Sequence, residues 1–120
     1  MPIEHLSFLT VKKMTQHDPE YHDLSIQAFQ QYIRNRYYET DKARGTPGTF
    51  MWFVEEVGEL ATALHKSNGQ GGDTTGNENL AEEFADVMAW LCTLANINEV
   101  DLSKAVIAKY LSGDGPTGHK

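Results

Sequence analysis

Two stretches of this chain repeat one pattern, apolar residues at helical spacing with acidic residues three apart beside them. The first is Phe53-Val54-Glu55-Glu56-Val57-Gly58-Glu59-Leu60-Ala61. At about 100° per residue, Phe53, Val57, Leu60 and Leu64 share one face, and Glu56 and Glu59 sit side by side on its flank. The second is Leu80-Ala81-Glu82-Glu83-Phe84-Ala85-Asp86-Val87-Met88. Here Leu80, Phe84, Val87, Leu91 and Leu94 form the face, Glu83 and Asp86 take the equivalent flank, and Trp90 corresponds to Ala63. A chain with two such amphipathic segments must bury both stripes, and packing helix on helix does so.

The rest of the chain also reads as helix. Leu24, Phe29, Tyr32 and Ile33 recur at helical spacing in a segment from Asp18 to Tyr38, with Asp18 as N-cap and Pro19 at the first helical position. A loop is expected over Glu39 to Thr46. Thr46-Pro47 then opens a second helix, which runs to about Lys66. Ser67 to Gly76 is rich in Gly, Asn, Asp and Thr and reads as a flexible connection. Asn77 is the expected cap of a third helix ending near Asn96, and Asp101 the cap of a shorter fourth that Gly113 ends. Residues 1–17 fit a strand or a helical turn equally well, residues 18–113 form the helical domain, and 114–120 are a tail. The expected fold is all-α, an antiparallel four-helix bundle. A bundle this small buries little of its surface, so a second copy of the chain is expected to cover part of it.

Charge and composition exclude several function classes. With 10 Lys+Arg against 17 Asp+Glu, the net charge of −7 argues against a nucleic-acid polymer as partner. No apolar run approaches the roughly 18 residues of a membrane span. Met1-Pro2-Ile3-Glu4 lacks a basic region and no long apolar stretch comes after it, so the expected location is cytoplasmic. A single cysteine, Cys92, excludes an internal disulfide and any zinc site of several thiolates. It lies on an apolar helix without an activating partner and reads as a structural thiol.

The chemistry lies in the acidic pairs. If the second and third helices pack antiparallel, Glu56 and Glu59 converge with Glu83 and Asp86 on one cleft. Carboxylates so placed repel one another, and burial raises their pKa values. They must either face water, as acidic groups on bundle helices commonly do, or be neutralised by a cation. Hard oxygen ligands without Cys or His suit Mg²⁺, with Mn²⁺ as the second choice. Magnesium keeps waters and is often completed by substrate phosphates, which makes such a cleft a site for a polyphosphate. A carboxylate-bridged di-iron centre is excluded, because it needs Glu-x-x-His and no histidine here has a Glu three residues before it.

At these residues the chain resembles the MazG-like, all-α nucleoside triphosphate pyrophosphohydrolases. Their signature, Glu-Glu-x-x-Glu and then Glu-x-x-Asp, stands here as Glu55-Glu56-Val57-Gly58-Glu59 and Glu83-Phe84-Ala85-Asp86. The likeness extends over roughly residues 20–112. It implies hydrolysis of a (deoxy)nucleoside triphosphate between the α and β phosphates, to the monophosphate and pyrophosphate. It also implies Glu56, Glu59, Glu83 and Asp86 as magnesium ligands and Glu55 and Glu56 as the catalytic pair. Glu55 would orient or deprotonate the attacking water, with Glu82 as the weaker candidate. Trp52, on the flank of Glu56, is a candidate for stacking on the base. Lys42 and Arg44 ahead of the second helix, and Lys109, which matches a family lysine on the triphosphate, are candidates for the phosphates. After Lys109 the chain departs from relatives that continue with Asn and basic residues, having Tyr110-Leu111-Ser112-Gly113-Asp114 instead. The resemblance further implies a homo-oligomer, a dimer or a tetramer, with the tetramer as the first expectation. Two alternatives remain at this point: hydrolysis of phosphoribosyl-ATP, and a helical module that binds nucleotide or protein without turnover.

Overall fold

The computed structural model describes residues 23–69 and 76–113, and among them it is all-helical. Helix α1 spans Ile26–Asn68, α2 spans Gly76–Ile97, and a short α3, Leu102–Val106, continues into a π-helical turn, Ile107–Leu111. The segment 1–17, the Asp18 cap with Pro19, and the tail 114–120 lie outside the described residues.

Helix α1 begins later than the sequence pattern suggests. Residues 23–25 are not helical, and Ser25 is the N-cap, its hydroxyl accepting from the Ala28 amide at 2.9 Å. The loop expected over Glu39 to Thr46 is also corrected. The chain stays helical through Arg44 and breaks only at Gly45, where φ is 82° and ψ 172°. Glu39, Lys42, Ala43 and Arg44 are good helix formers, and nothing before Gly45 interrupts them. The break at Gly45 suits Pro47, two residues on. Pro47 has no amide hydrogen and its ring would collide with the carbonyl four residues back in a continuous helix. Placed after the break, it falls in the first turn of a new arm, where that amide is unneeded. The two arms of α1 are residues 26–44 and 46–68. Asn77 is not a cap, because α2 already includes Gly76. Asp101 caps α3 as its position suggests, accepting from the Lys104 amide at 3.0 Å.

The first arm crosses the C-terminal end of α2. Gln30 donates to Asn96 Oδ1 at 3.0 Å and to the Val100 carbonyl at 2.7 Å, and accepts from the Leu102 amide at 2.9 Å. Arg34 and Lys42 donate to the carbonyls of Asn96 and Ile97, each at 3.2 Å, placing two positive charges at the C-terminal end of α2, where the helix dipole favours them. The turn beyond carries Glu99 at a φ of 56°, its carboxylate held by Tyr38 at 2.8 Å and Arg34 at 3.2 Å.

The second arm runs antiparallel to α2. Thr49, Phe53, Glu56, Leu60, Ala63 and Ser67 turn inward at alternating steps of four and three residues, as do Leu80, Glu83, Val87, Trp90 and Leu94 on α2. That is the spacing of a helix-pair seam. The apolar faces expected from the sequence therefore split. Phe53, Leu60, Leu80, Val87 and Leu94 are half-buried, whereas Val57, Leu64, Phe84 and Leu91 are exposed, Phe84 by 54%. Among the described residues the buried set is small and half polar, with Ile33, Ala63, Cys92, Ala95 and Ile97 beside Gln30, Asp41, Thr49, Thr93 and Asn96. One pair of long helices offers a single seam, too narrow to cover two wide apolar stripes.

Candidate metal centre

The seam positions put carboxylates where side chains normally meet. Glu56 and Glu59 lie on adjacent turns of the second arm, and Glu83 and Asp86 on adjacent turns of α2. Oxygen atoms of Glu56, Glu59 and Glu83 all lie within 4.8 Å of one another. Asp86 is exposed beside them, and its negative charge bears on both Glu56 and Glu83. Helical periodicity alone sets Glu56 and Glu83 on a flank; the helix pair turns them into the seam.

Electrostatics arises from that placement. Loss of solvent, then the negative charges of Glu59, Asp86 and Glu83, push the Glu56 carboxyl up from 4.5 to about 7. Glu83 is raised as well, by loss of solvent first and then by Glu59, Asp86 and Glu82. Glu56 Oε2 and Glu83 Oε2 are buried without a hydrogen-bond partner. Buried polar atoms are rarely left unpaired, and two acceptors of one sign need a proton or a cation between them. The donor set is all carboxylate oxygen, which fits a hard divalent ion such as Mg²⁺.

The other candidate residues fall in different places. Glu55 and Glu82 are exposed, each next in the chain to an inward-facing Glu. Trp52 stacks on Trp90 across the helix pair, ring centroids 6.2 Å apart and planes 15° from parallel, one turn before Glu56. Lys42 is engaged by the Ile97 carbonyl. Arg44 donates to Asp41 at 2.7 Å and to Thr49 at 3.0 Å, and its guanidinium lies 5.0 Å from the centre of the Trp90 ring. Lys109 lies in the π-helical turn, exposed, 5.5 Å from the centre of the Tyr110 ring. Trp52 thus lies one helical turn from the carboxylates, and the three cations lie among other groups. Cys92 is buried, and burial pushes its thiol up to about 11, which fits the structural role expected for it.

Trp90 is a neighbour of the site that the sequence pattern does not single out. Its signal is its position four residues after Asp86, which in an antiparallel pair sets it opposite the residue four before Glu56.

A model of the MazG nucleotide pyrophosphohydrolase domain family matches residues 46–112, from the break at Gly45 through both acidic helices and the π-helical turn. No curated protein and no solved structure matches the chain.

Proposed function

Because the chain belongs to the MazG nucleotide pyrophosphohydrolase family, whose domain covers more than half of its 120 residues, we propose that it hydrolyses (deoxy)nucleoside triphosphates between the α and β phosphates. The products are the monophosphate and pyrophosphate, and Mg²⁺ is the cofactor. One observation carries this reading: on facing helices, carboxylate oxygens of Glu56, Glu59 and Glu83 lie within 4.8 Å of one another, and Glu56 and Glu83 each also bury an unpartnered Oε2.

In this reading Glu56, Glu59, Glu83 and Asp86 hold the ion. When bound, the ion neutralises charge on the polyphosphate and makes a water molecule more acidic. Glu55, exposed beside Glu56, orients the attacking water and accepts its proton as the new oxygen–phosphorus bond forms and the bond to the β-phosphate oxygen breaks. Catalysis of this kind rests on positioned charge, and rigid helices supply that positioning. The open part of Trp52, which is 48% exposed, supports its role in stacking on the base. Lys109, exposed at the end of the matched region, supplies positive charge for the phosphates.

The proposal includes a homo-oligomer, a dimer or a tetramer with the tetramer as the first expectation, in which another copy covers Val57, Leu64, Phe84 and Leu91. These four exposed apolar side chains, two on each of the paired helices, suit an interaction surface. No helix among the described residues is long and apolar enough to cross a membrane, so lipid does not cover it as a span.

The deciding experiment incubates the purified chain and Mg²⁺ with standard and damaged (d)NTPs and with phosphoribosyl-ATP, resolving monophosphate from pyrophosphate. Pyrophosphate release from a triphosphate, abolished by EDTA, is expected. Turnover of phosphoribosyl-ATP alone reassigns the substrate, and no turnover of any nucleotide leaves a binding module.

A further inference from the structure

We infer that Arg44 is a positioning residue, setting the spacing between the arm that carries Glu56 and Glu59 and the helix that carries Glu83 and Asp86. It acts through Trp90 and Trp52 and does not grip substrate. The inference rests on the reading of those carboxylates as a cation site.

Arg44 is the last residue before the break at Gly45, and its side chain spans that break. One nitrogen, Nη2, donates to Asp41 on the first arm at 2.7 Å; another, Nε, donates to Thr49 on the second arm at 3.0 Å. Both partners are buried, Asp41 at 6% exposure and Thr49 at 0%, so the guanidinium is fixed from two sides. The chain leaves room for it. A Cβ at Gly48 would lie 3.1 Å from Arg44 Cγ, tighter than an ordinary contact, so a glycine there lets the Arg44 stem pass. The guanidinium then lies 5.0 Å from the centre of the Trp90 ring on α2. All three helical segments around the break therefore meet at this one side chain.

The next layers carry the position onward. Trp90 lies against Trp52 at 6.2 Å between centroids, and the carboxylates occupy the turns just beyond both rings. Trp52 is 48% exposed, so the position is carried by the stacked faces of the two rings and by the rigid helical turns that join each ring to its carboxylates. A magnesium ion demands near-octahedral oxygens at about 2.0–2.1 Å. A small change in the separation of the two helices therefore moves its ligands out of range.

The test uses Arg44→Gln and Thr49→Val, with Mg²⁺ alone as the calorimetric probe and the near-ultraviolet circular dichroism of the tryptophan pair as a readout without metal. In Arg44→Gln the tryptophan band weakens and the Mg²⁺ dissociation constant rises roughly 10–100-fold, the usual effect of losing a supporting residue. Thr49→Val shows a smaller change of the same kind. Arg44→Lys does not rescue, because an ammonium group lacks the planar fork that reaches Asp41 and Thr49 together. Unchanged Mg²⁺ affinity in both variants overturns the inference, and if the nucleotide KM rises at the same time Arg44 is a phosphate-binding group. Wild-type protein that binds no Mg²⁺ removes the cation site and this inference together; wild type that binds, with variants that bind equally well, removes this inference alone. If Arg44→Gln loses its far-ultraviolet helical signal, Thr49→Val, which keeps side-chain shape and deletes one acceptor, decides.

Discussion

Glu56 and Glu83 face each other across the second arm of α1 and α2, each with one carboxylate oxygen buried and unpartnered. Two acidic groups occupy seam positions that an ordinary helix pair gives to apolar side chains. Such a seam is poorly stable with both groups ionised and well suited to a cation.

The first consequence is a pH-dependent gain from magnesium. Glu56 titrates near 7 in the folded chain against an ordinary 4.5. The unfolded chain therefore ionises Glu56 first, and stability from this group, full below about 4.5, falls as pH rises and is lost above about 7. On the proposed reading Mg²⁺ competes with that proton and binds the folded form. Melting temperatures with and without Mg²⁺ should differ more above pH 7 than below it. An equal shift on both sides would place the ion away from Glu56.

Removing one ligand charge should separate binding from folding. Glu59→Gln and Asp86→Asn keep side-chain size and lower magnesium-dependent turnover by more than about 100-fold, beyond the usual effect of a supporting residue. Far-ultraviolet circular dichroism should be unchanged, since both side chains are exposed. Near-normal turnover in either variant takes that residue out of the site. Glu56→Gln has a further signature: it removes a charge from a crowded seam, so without Mg²⁺ the variant should melt higher than the wild type above pH 7.

The outward apolar stripe should govern assembly. Phe84→Ser combined with Leu91→Ser removes two exposed apolar side chains of α2 without touching the seam. Sedimentation velocity should show a smaller species than the wild type. An identical sedimentation coefficient would mean that another surface joins the copies.

Gly45→Ala should destabilise the chain by about 1–3 kcal/mol, because a φ of 82° with a ψ of 172° lies in a region essentially confined to glycine. The loss is conformational. An added Cβ would meet only Pro47 Cδ, at an ordinary 3.9 Å. Urea unfolding monitored by helical signal measures it, and an unchanged midpoint would mean that the backbone relaxes at the break.

Much of this site is legible in order along the chain. The three-residue spacing of Glu56 with Glu59 and of Glu83 with Asp86 is visible without a structure, because helical periodicity alone stacks such residues. The Asp101 cap and the proline after Gly45 are equally plain, each resting on backbone chemistry within a few residues. The loop expected over Glu39 to Thr46 is helix through Arg44 for a local reason. Charged residues ahead of a glycine look like a connection, yet they are good helix formers, and Asp41 with Arg44 pairs along the helix face.

Other features depend on distant partners. Gln30 gives no sign in the sequence of being buried, and its partners are 66 to 72 residues away. Lys42 and Arg44 read as phosphate candidates in the sequence, and only the fold shows Lys42 on the Ile97 carbonyl, 55 residues away, and Arg44 over the Trp90 ring.

Periodicity and composition by themselves determined that the described residues are helical, where the acidic pairs stand along them, and that the net charge is −7. Only the tertiary structure decided the rotation of each helix, and so whether Val57 or Glu56 faced its neighbour. Both stripes, 53-57-60-64 and 53-56-60-63, satisfy the helical period and share Phe53 and Leu60. Which one turns inward depends on how closely the two backbones approach, and the buried Ala63 and Thr49 in the seam and the ties at the end of α2 bear on that approach.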